Sequence, residues 1–251
     1  MKIINIKSRY ELNPSHVDYV RSIALNADIY DSEDHGISYL MNEIPVFLLD
    51  SRHMPDREKE ISDKPSTEWL GFYSHQTPIL GGNIPTIGIC PERIMGCVKT
   101  DEELMILTAK VILHEFAHAR MRLHPSSDYL PVDEFYEWME EPMANLMVIN
   151  YFRDGVYSRR YGRRSCEVAR VTNCVDPASY VKAFIEGQPD NYRLALELYE
   201  NGIWRWRNWA NSKSKIQKKT KEKQDWLNYV KANVGKTDES TLKQLFEALH
   251  K

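Results

Sequence analysis

The stretch TDEELMILTAKVILHEFAHARMRL, residues 100–123, decides the fold because it predicts a long buried helix. Thr100 followed by Glu103 has the spacing of a capping box, which predicts that the helix begins at this point. Apolar residues cover most of its circumference, as is typical of a helix surrounded by the rest of a protein. Pro125 predicts that the helix ends soon after this stretch.

The same helix contains the motif His114-Glu115-x-x-His118. This spacing puts both imidazoles on one helical face, one turn apart, where they can chelate a single ion. Glu115 can then act as the general base that accepts a proton from a water molecule bound to that ion. Two core histidines bonded to the backbone are the alternative, but buried polar groups without partners are costly, so the pattern favours a metal site.

A catalytic zinc ion needs a third protein ligand and one open position. The stretch EWMEEPMAN, residues 137–145, offers Glu140 and Glu141 on the next predicted helix. Each glutamate shares a helical face with apolar residues, which is unusual for a merely solvated charge. Periodicity does not separate the two, so it leaves both as candidate ligands.

HEFAH followed by EPMAN resembles the gluzincin arrangement, an H-E-x-x-H helix with a ligand glutamate on a following helix. This resemblance implies that Glu141, 23 residues after His118, is the third ligand. In thermolysin-like enzymes an Asp four residues after that glutamate binds a zinc histidine, so Asn145 is expected to orient a ligand here. The E-x-x-A-N wording is also similar to the small bacterial metallopeptidases of the ImmA/IrrE type.

The resemblance covers roughly residues 69–154 and implies a zinc-dependent metallopeptidase acting on a peptide or protein substrate. His114, His118 and Glu141 would bind Zn²⁺, and Glu115 would be the base. TIGICPERI, residues 86–94, resembles the edge strand that precedes the motif helix in zincins. Such a strand adds an extended peptide through main-chain hydrogen bonds, which are expected near residues 86–90.

Short strand-like runs precede the motif helix and helical patterns follow it, so the predicted fold class is α+β. The predicted strands are MKIINIKSRYELN (1–13), PVFLLD (45–50), WLGFYS (69–74) and TIGICP (86–91). The intervening stretches 51–68 and 75–86 are predicted as a surface loop and a connection between strands. The predicted helices are HVDYVRSIALNADIY (16–30), the motif helix, residues 131–152 with an interruption or restart at Pro142, and most of the chain after residue 176.

We therefore predict a minimal zincin core over residues 1–154, in which a small mixed sheet packs on the motif helix and the ligand helix. A mostly helical C-terminal extension over residues 155–251 is expected to follow. A single domain is the alternative, because no linker divides the chain convincingly.

The net charge, the hydropathy and the cysteines indicate which partners and which cellular compartment to expect. The net charge of −3 gives no global case for nucleic-acid or membrane binding, and no stretch approaches the length of an apolar membrane span. Neither an export signal nor a C-x-x-C pair is present in the sequence. A cytoplasmic protein is therefore expected, with free thiols at Cys90, Cys97, Cys166 and Cys174.

The segment 204–226 combines three closely spaced tryptophans with six lysines, in WRWRNW (204–209) and KSKIQKKTKEK (213–223). Aromatic and basic residues together can bind nucleic acid, but the pattern continues as an amphipathic helix, which favours a solvated face or a docking site for a protein partner. The alternative function is accordingly a non-catalytic or regulatory zincin-fold protein with a structural metal, whose C-terminal helices bind a partner. Hydrolysis of a non-peptide amide is a third hypothesis.

A peptidase also needs a donor that stabilises the developing oxyanion. The sequence offers His124, Tyr157, Tyr161 and Arg163, which follow the motif helix and the ligand helix. A basic surface loop is the alternative interpretation of residues 154–164.

Overall fold

The computed structural model describes residues 1–6, 8–28, 37–54, 69–79, 82–123, 134–157, 177–188 and 190–200. In chain order, the elements of these ranges are β1 (Ile3–Asn5), α1 (Pro14–Asp28), α2 (Ile37–Glu43), β2 (Val46–Leu48), β3 (Gly71–Ile79), β4 (Gly82–Ile89), α3 (Pro91–Gly96), α4 (Asp101–Leu123), α5 (Glu134–Tyr157), α6 (Pro177–Glu186) and α7 (Asp190–Glu200). A single 3₁₀ turn, Ser51–His53, follows β2.

The four strands form one mixed sheet in the order β1-β2-β4-β3. β1 pairs with β2 and β2 with β4 in parallel, whereas β3 and β4 form an antiparallel hairpin. The register aligns Leu48, Ile89 and Gly71 across β2, β4 and β3. A mixed sheet combined with mainly helical structure confirms the predicted α+β class.

Two predictions about β4 are wrong. This strand contains TIGI of the stretch TIGICP, and its residues 87–89 pair with β2 on one side and with β3 on the other, so they offer no open edge to a peptide. Within the described part of the sheet, the edges are β1 and β3. The stretch 75–86 is also not simply a connection, because residues 75–79 extend β3 and residues 82–86 belong to β4.

Within the described residues, the helices that the sequence predicts are present, and two short helices that it did not predict, α2 and α3, occur as well. α1 and α4 occupy the predicted stretches, and α6 and α7 begin where helical patterns were expected after residue 176. α5 continues through Pro142 without a break, so the predicted interruption is wrong. A proline removes one helix hydrogen bond, but residues 142–152 are all buried, and this packing sustains the helix across the defect.

Helix α4 runs through the centre of the hydrophobic core. Every residue from Ile106 to Arg120 is buried, which confirms the prediction of a buried helix. α4 contacts β3 and β4 of the sheet as well as α1, α2 and α5, while α6 and α7 pack mainly against α5. The proposed boundary at residue 154 stays a prediction.

Cys90 is a free thiol, as predicted. None of the helices in the described ranges is long and apolar enough to cross a membrane. Cys166, Cys174, most of the predicted 51–68 loop and the whole segment 201–251 lie outside the described residues.

Candidate metal centre

Helix α4 begins at the capping box that the sequence predicts. The Glu103 backbone N–H donates to Thr100 Oγ1 at 3.2 Å, and Glu103 Oε2 accepts from the Thr100 backbone N–H at 3.2 Å. Three acidic residues in the first turn also suit the positive end of the helix dipole. This fixed start sets which residues of α4 face α5, and therefore where the motif lies.

The structure brings together the three residues predicted as ligands. His114 Nε2 lies 3.1 Å from Glu141 Oε2 on α5 and 3.1 Å from His118 Nε2. His118 Nε2 lies 3.5 Å from Glu141 Oε2. Both histidines are buried, whereas the Glu141 side chain is 30% exposed. His114, His118 and Glu141 therefore form a cluster that could hold a metal ion.

The spacing of these donor atoms fits one tetrahedral ion. Ligand distances of about 2.0–2.1 Å separate the donors of such an ion by about 3.3–3.4 Å. The measured separations of 3.1 and 3.5 Å bracket this value. In the form that binds a metal both ring nitrogens are unprotonated, and a cation bound to all three donors then removes the repulsion among them.

Glu140 contacts Nδ1 of His118, the ring nitrogen that is not directed at the other two candidate ligands. His118 Nδ1 lies 3.0 Å from Glu140 Oε1, so this N–H can donate to the carboxylate while Nε2 faces His114 and Glu141. A carboxylate in this position orients an imidazole and increases its basicity toward a metal. The geometry thus gives the two adjacent glutamates different environments, which periodicity did not distinguish.

The charges of the cluster act strongly on one another. Burial lowers the pKa of His118, but the Glu141 and Glu140 carboxylates outweigh it and raise that pKa well above its usual value. Burial and the positive charge of Lys110 lower the pKa of His114 to about 3. Burial raises the pKa of Glu141, yet its contacts with the two histidines hold that pKa well below the usual range.

Glu115, the predicted base, is buried beside this cluster and is only 6% exposed. Burial is the main cause that raises its pKa to about 7. Within the described ranges, no residue donates a hydrogen bond to its carboxylate. A carboxylate with this pKa can accept and release a proton near neutral pH, as a general base must.

Asn145 is fully buried one turn after Glu141, but its hydrogen bond differs from the predicted one. Its Nδ2 donates to Gln188 Oε1 at 3.2 Å, after the end of α6. Among the described residues, neither Asn145 Oδ1 nor His114 Nδ1 has a hydrogen-bond partner. The role of Asn145 in orienting a zinc histidine stays a prediction.

Lys110 is a residue of the site that sequence reasoning missed. It lies one turn before His114 on α4, is 4% exposed, and places its Nζ 5.4 Å from the centre of the Phe184 ring. Burial lowers its pKa to about 8, against the opposing effect of Glu115 and Glu141. A single charged residue within an apolar helical stretch was the available signal, because such residues are rarely buried.

The described residues do not include the side chains of the four candidate oxyanion donors, so their role stays a prediction. His124, Tyr161 and Arg163 lie outside the described residues, and so does the side chain of Tyr157.

Searches of protein-family models, curated proteins and solved structures found no match to this chain. The case for a function therefore depends on the residues themselves.

Proposed function

We propose that this protein is a zinc-dependent metallopeptidase of the gluzincin kind. The observation that supports the proposal is the convergence of three donor atoms, from His114 and His118 of α4 and Glu141 of α5. The buried carboxylate of Glu115, also on α4, lies next to them. Two imidazoles and one carboxylate are a donor set that suits zinc, and they leave one coordination position open.

His114 Nε2, His118 Nε2 and Glu141 Oε2 would hold the ion, and Glu140 would fix the ring of His118 through its Nδ1. When bound, zinc lowers the pKa of water and polarises a carbonyl group. Glu115 is the residue of this chain that moves a proton: its carboxylate accepts one from water and can return it to the leaving amine. Its burial excludes bulk water from the proton that it holds.

The edge of β3, which no other strand of the described residues covers, is the proposed binding site for an extended peptide. β3 replaces β4 in this role because β4 is paired on both sides. Gly71, the first residue of β3, lies against Glu115, so this edge starts beside the base. Main-chain hydrogen bonds along such an edge bind a peptide without requiring a particular side chain at every position.

The test compares wild-type protein with Glu115→Gln after both have been loaded with one equivalent of zinc. The substrate is a mixture of unfolded proteins and internally quenched peptides, and mass spectrometry identifies new termini. We expect cleavage by the wild type and a loss of about 10²- to 10⁴-fold in the variant, which is typical of a missing general base.

Zinc content is the matched control, because Glu115 is not among the predicted ligands and Glu115→Gln should bind the metal as the wild type does. Equal cleavage by both proteins would contradict the role of Glu115. Metal binding without any cleavage by the wild type would instead favour the regulatory protein. The C-terminal segment invoked for that alternative lies outside the described residues.

A further inference from the structure

The backbone of β3 makes an unusually close approach to Glu115 at Gly71. A β carbon added to Gly71 would lie 3.1 Å from Glu115 Oε1 and 3.2 Å from Glu115 Cγ. It would also lie 2.8 Å from Val111 Cγ1, one turn earlier on α4. The 2.8 Å distance to Val111 is one that real β carbons essentially never show, and the Glu115 atoms at 3.1 and 3.2 Å would have to give by a few tenths of an ångström. Only glycine therefore fits here without movement of a neighbour.

Neither the β3 backbone at Gly71 nor the backbone of α4 can move apart easily to make room for a β carbon. Gly71 is paired in register with Ile89 of β4, and β4 is held on its other side by β2. Glu115 and Val111 belong to the fully buried part of α4. The group with the most freedom is the Glu115 side chain, because no hydrogen bond from the described residues holds its carboxylate.

We infer that Gly71 is a positioning residue, which lets the edge strand lie directly against Glu115 and so fixes the distance between the strand edge and the base. This inference depends on the proposed function, in which the β3 edge binds the substrate peptide and Glu115 accepts the proton. A side chain at position 71 would displace the carboxylate from its place beside the ligand cluster, while the three ligands stay where they are.

The first experiment is Gly71→Ala in the zinc-loaded protein. A displacement of about 1 Å can cost about 10²-fold in rate. The Glu115 contacts require a shift of a few tenths of an ångström, so we expect kcat to fall by about 3- to 10-fold. KM should change by less than about 3-fold, since main-chain binding to the strand edge is kept. Zinc affinity, measured by competition with a fluorescent chelator, should equal that of the wild type.

Gly96→Ala is the matched control for the substitution itself. Gly96 lies at the end of α3, where an added β carbon would meet no heavy atom within 4 Å. This variant should keep the wild-type kcat.

Val111→Ala separates the two contacts of Gly71. It removes the atom that lies 2.8 Å from the added β carbon and leaves both Glu115 contacts in place. Gly71→Ala should therefore lower kcat by a similar factor in the wild-type and the Val111→Ala backgrounds. Full recovery in the double variant would assign the loss to Val111 packing and overturn the inference. The double variant also supplies the measurement if Gly71→Ala alone does not fold.

A second readout does not need peptidase activity. The ¹³C resonance of the Glu115 carboxyl, assigned by its absence in Glu115→Gln, should move in Gly71→Ala but not in Gly96→Ala. If the wild type cleaves nothing, the peptidase proposal fails, and this resonance still decides whether Gly71 positions Glu115. An unmoved resonance or an unchanged kcat would overturn the inference.

Discussion

Two clusters of carboxylates and histidines in this molecule have similar chemistry and opposite character. Asp50 caps the 3₁₀ turn Ser51–His53, and its carboxylate accepts from the Arg52 backbone N–H and contacts the side chains of Arg52 and His53. The second cluster joins His114 and His118 of α4 to the adjacent glutamates of α5, which lie 22 to 27 residues away in the chain.

The cluster of Asp50, Arg52 and His53, called the local cluster below, provides its own hydrogen-bond partners within four consecutive residues. The hydrogen bond from His53 is the main cause that lowers the pKa of Asp50 to about 2, so its charged form is favoured in the folded protein. In and beside the buried cluster the shifts have both signs. Burial raises the pKa of Glu115 to about 7 and lowers that of His114 to about 3, which disfavours their charged forms, whereas the charged forms of His118 and Glu141 are favoured. Strong pKa shifts that burial and neighbouring charges cause together are typical of functional sites, whereas a carboxylate bonded only within its own turn is typical of a cap.

The largest expected effect that distinguishes the buried cluster from the local cluster is the loss of zinc binding when one candidate ligand is removed. His118→Ala removes one of three convergent donors, so zinc affinity should fall by at least about 10³-fold. His53→Ala, the matched substitution in the local cluster, should bind zinc as the wild type does. Metal content after reconstitution and dialysis, together with chelator competition, measures both. Equal retention of zinc by the two variants would contradict the assignment of the buried cluster as the metal centre.

The next effect concerns stability without metal. Because the folded pKa of Glu115 is raised from 4.5 to about 7, its contribution to stability is present below pH 4.5 and is lost as pH rises through 7. Glu115→Gln should therefore increase the free energy of unfolding of the metal-free protein by about 3 kcal/mol at pH 8 relative to pH 4. Urea unfolding of both proteins at the two pH values measures this difference.

Asp50→Asn is the control, because the pKa of Asp50 is lowered and its removal should change the free energy of unfolding in the opposite direction. The lowered pKa of Asp50 stabilises the protein above pH 3.8, and this contribution is lost as pH falls toward 2. This variant should thus be less stable than the wild type at neutral pH. If Glu115→Gln were also destabilising at pH 8, the raised pKa of Glu115 would be wrong.

The smallest effect concerns the residue that orients His118. Glu140→Gln keeps the shape of the side chain but weakens the acceptor for the Nδ1–H of His118, so zinc affinity should fall by about 10- to 100-fold. Glu92→Gln is the control, because Glu92 contacts Ser51 Oγ in the local cluster instead. Chelator competition measures both variants. An unchanged affinity for Glu140→Gln would show that Glu140 does not orient the ligand.

The parts of the site that depend on one helix could be predicted from the sequence. The capping box and the common face of the two histidines follow from helical geometry between residues three or four apart. Glu140 and Glu141 differ by about 100° around their helix, and their different contacts depend on how α5 packs on α4. Periodicity therefore left the choice open, and only the resemblance to gluzincins favoured Glu141.

Contacts between strands could not be predicted in the same way. Alternation along TIGIC indicates a strand but carries no information about its neighbours, so β4 was expected at an edge that β3 occupies. Gly71 illustrates the same limit, since its close contact with Glu115 joins two residues that are 44 positions apart in the chain. α2 and α3 were not predicted because they span only seven and six residues, too few to show a helical period.

The short distances between His118, His114 and Glu141 also have a consequence for acid–base balance. Despite the effect of burial, the Glu141 and Glu140 carboxylates raise the pKa of His118 well above its usual value, which favours the protonated ring in the metal-free protein, and an ion can bind Nε2 only when its proton leaves. Zinc uptake should accordingly acidify an unbuffered solution, and the binding enthalpy measured by calorimetry should vary with the ionisation enthalpy of the buffer. Each metal ion that enters this site would exchange for hydrogen ions, so the acidity of the surroundings would set how much metal the protein holds.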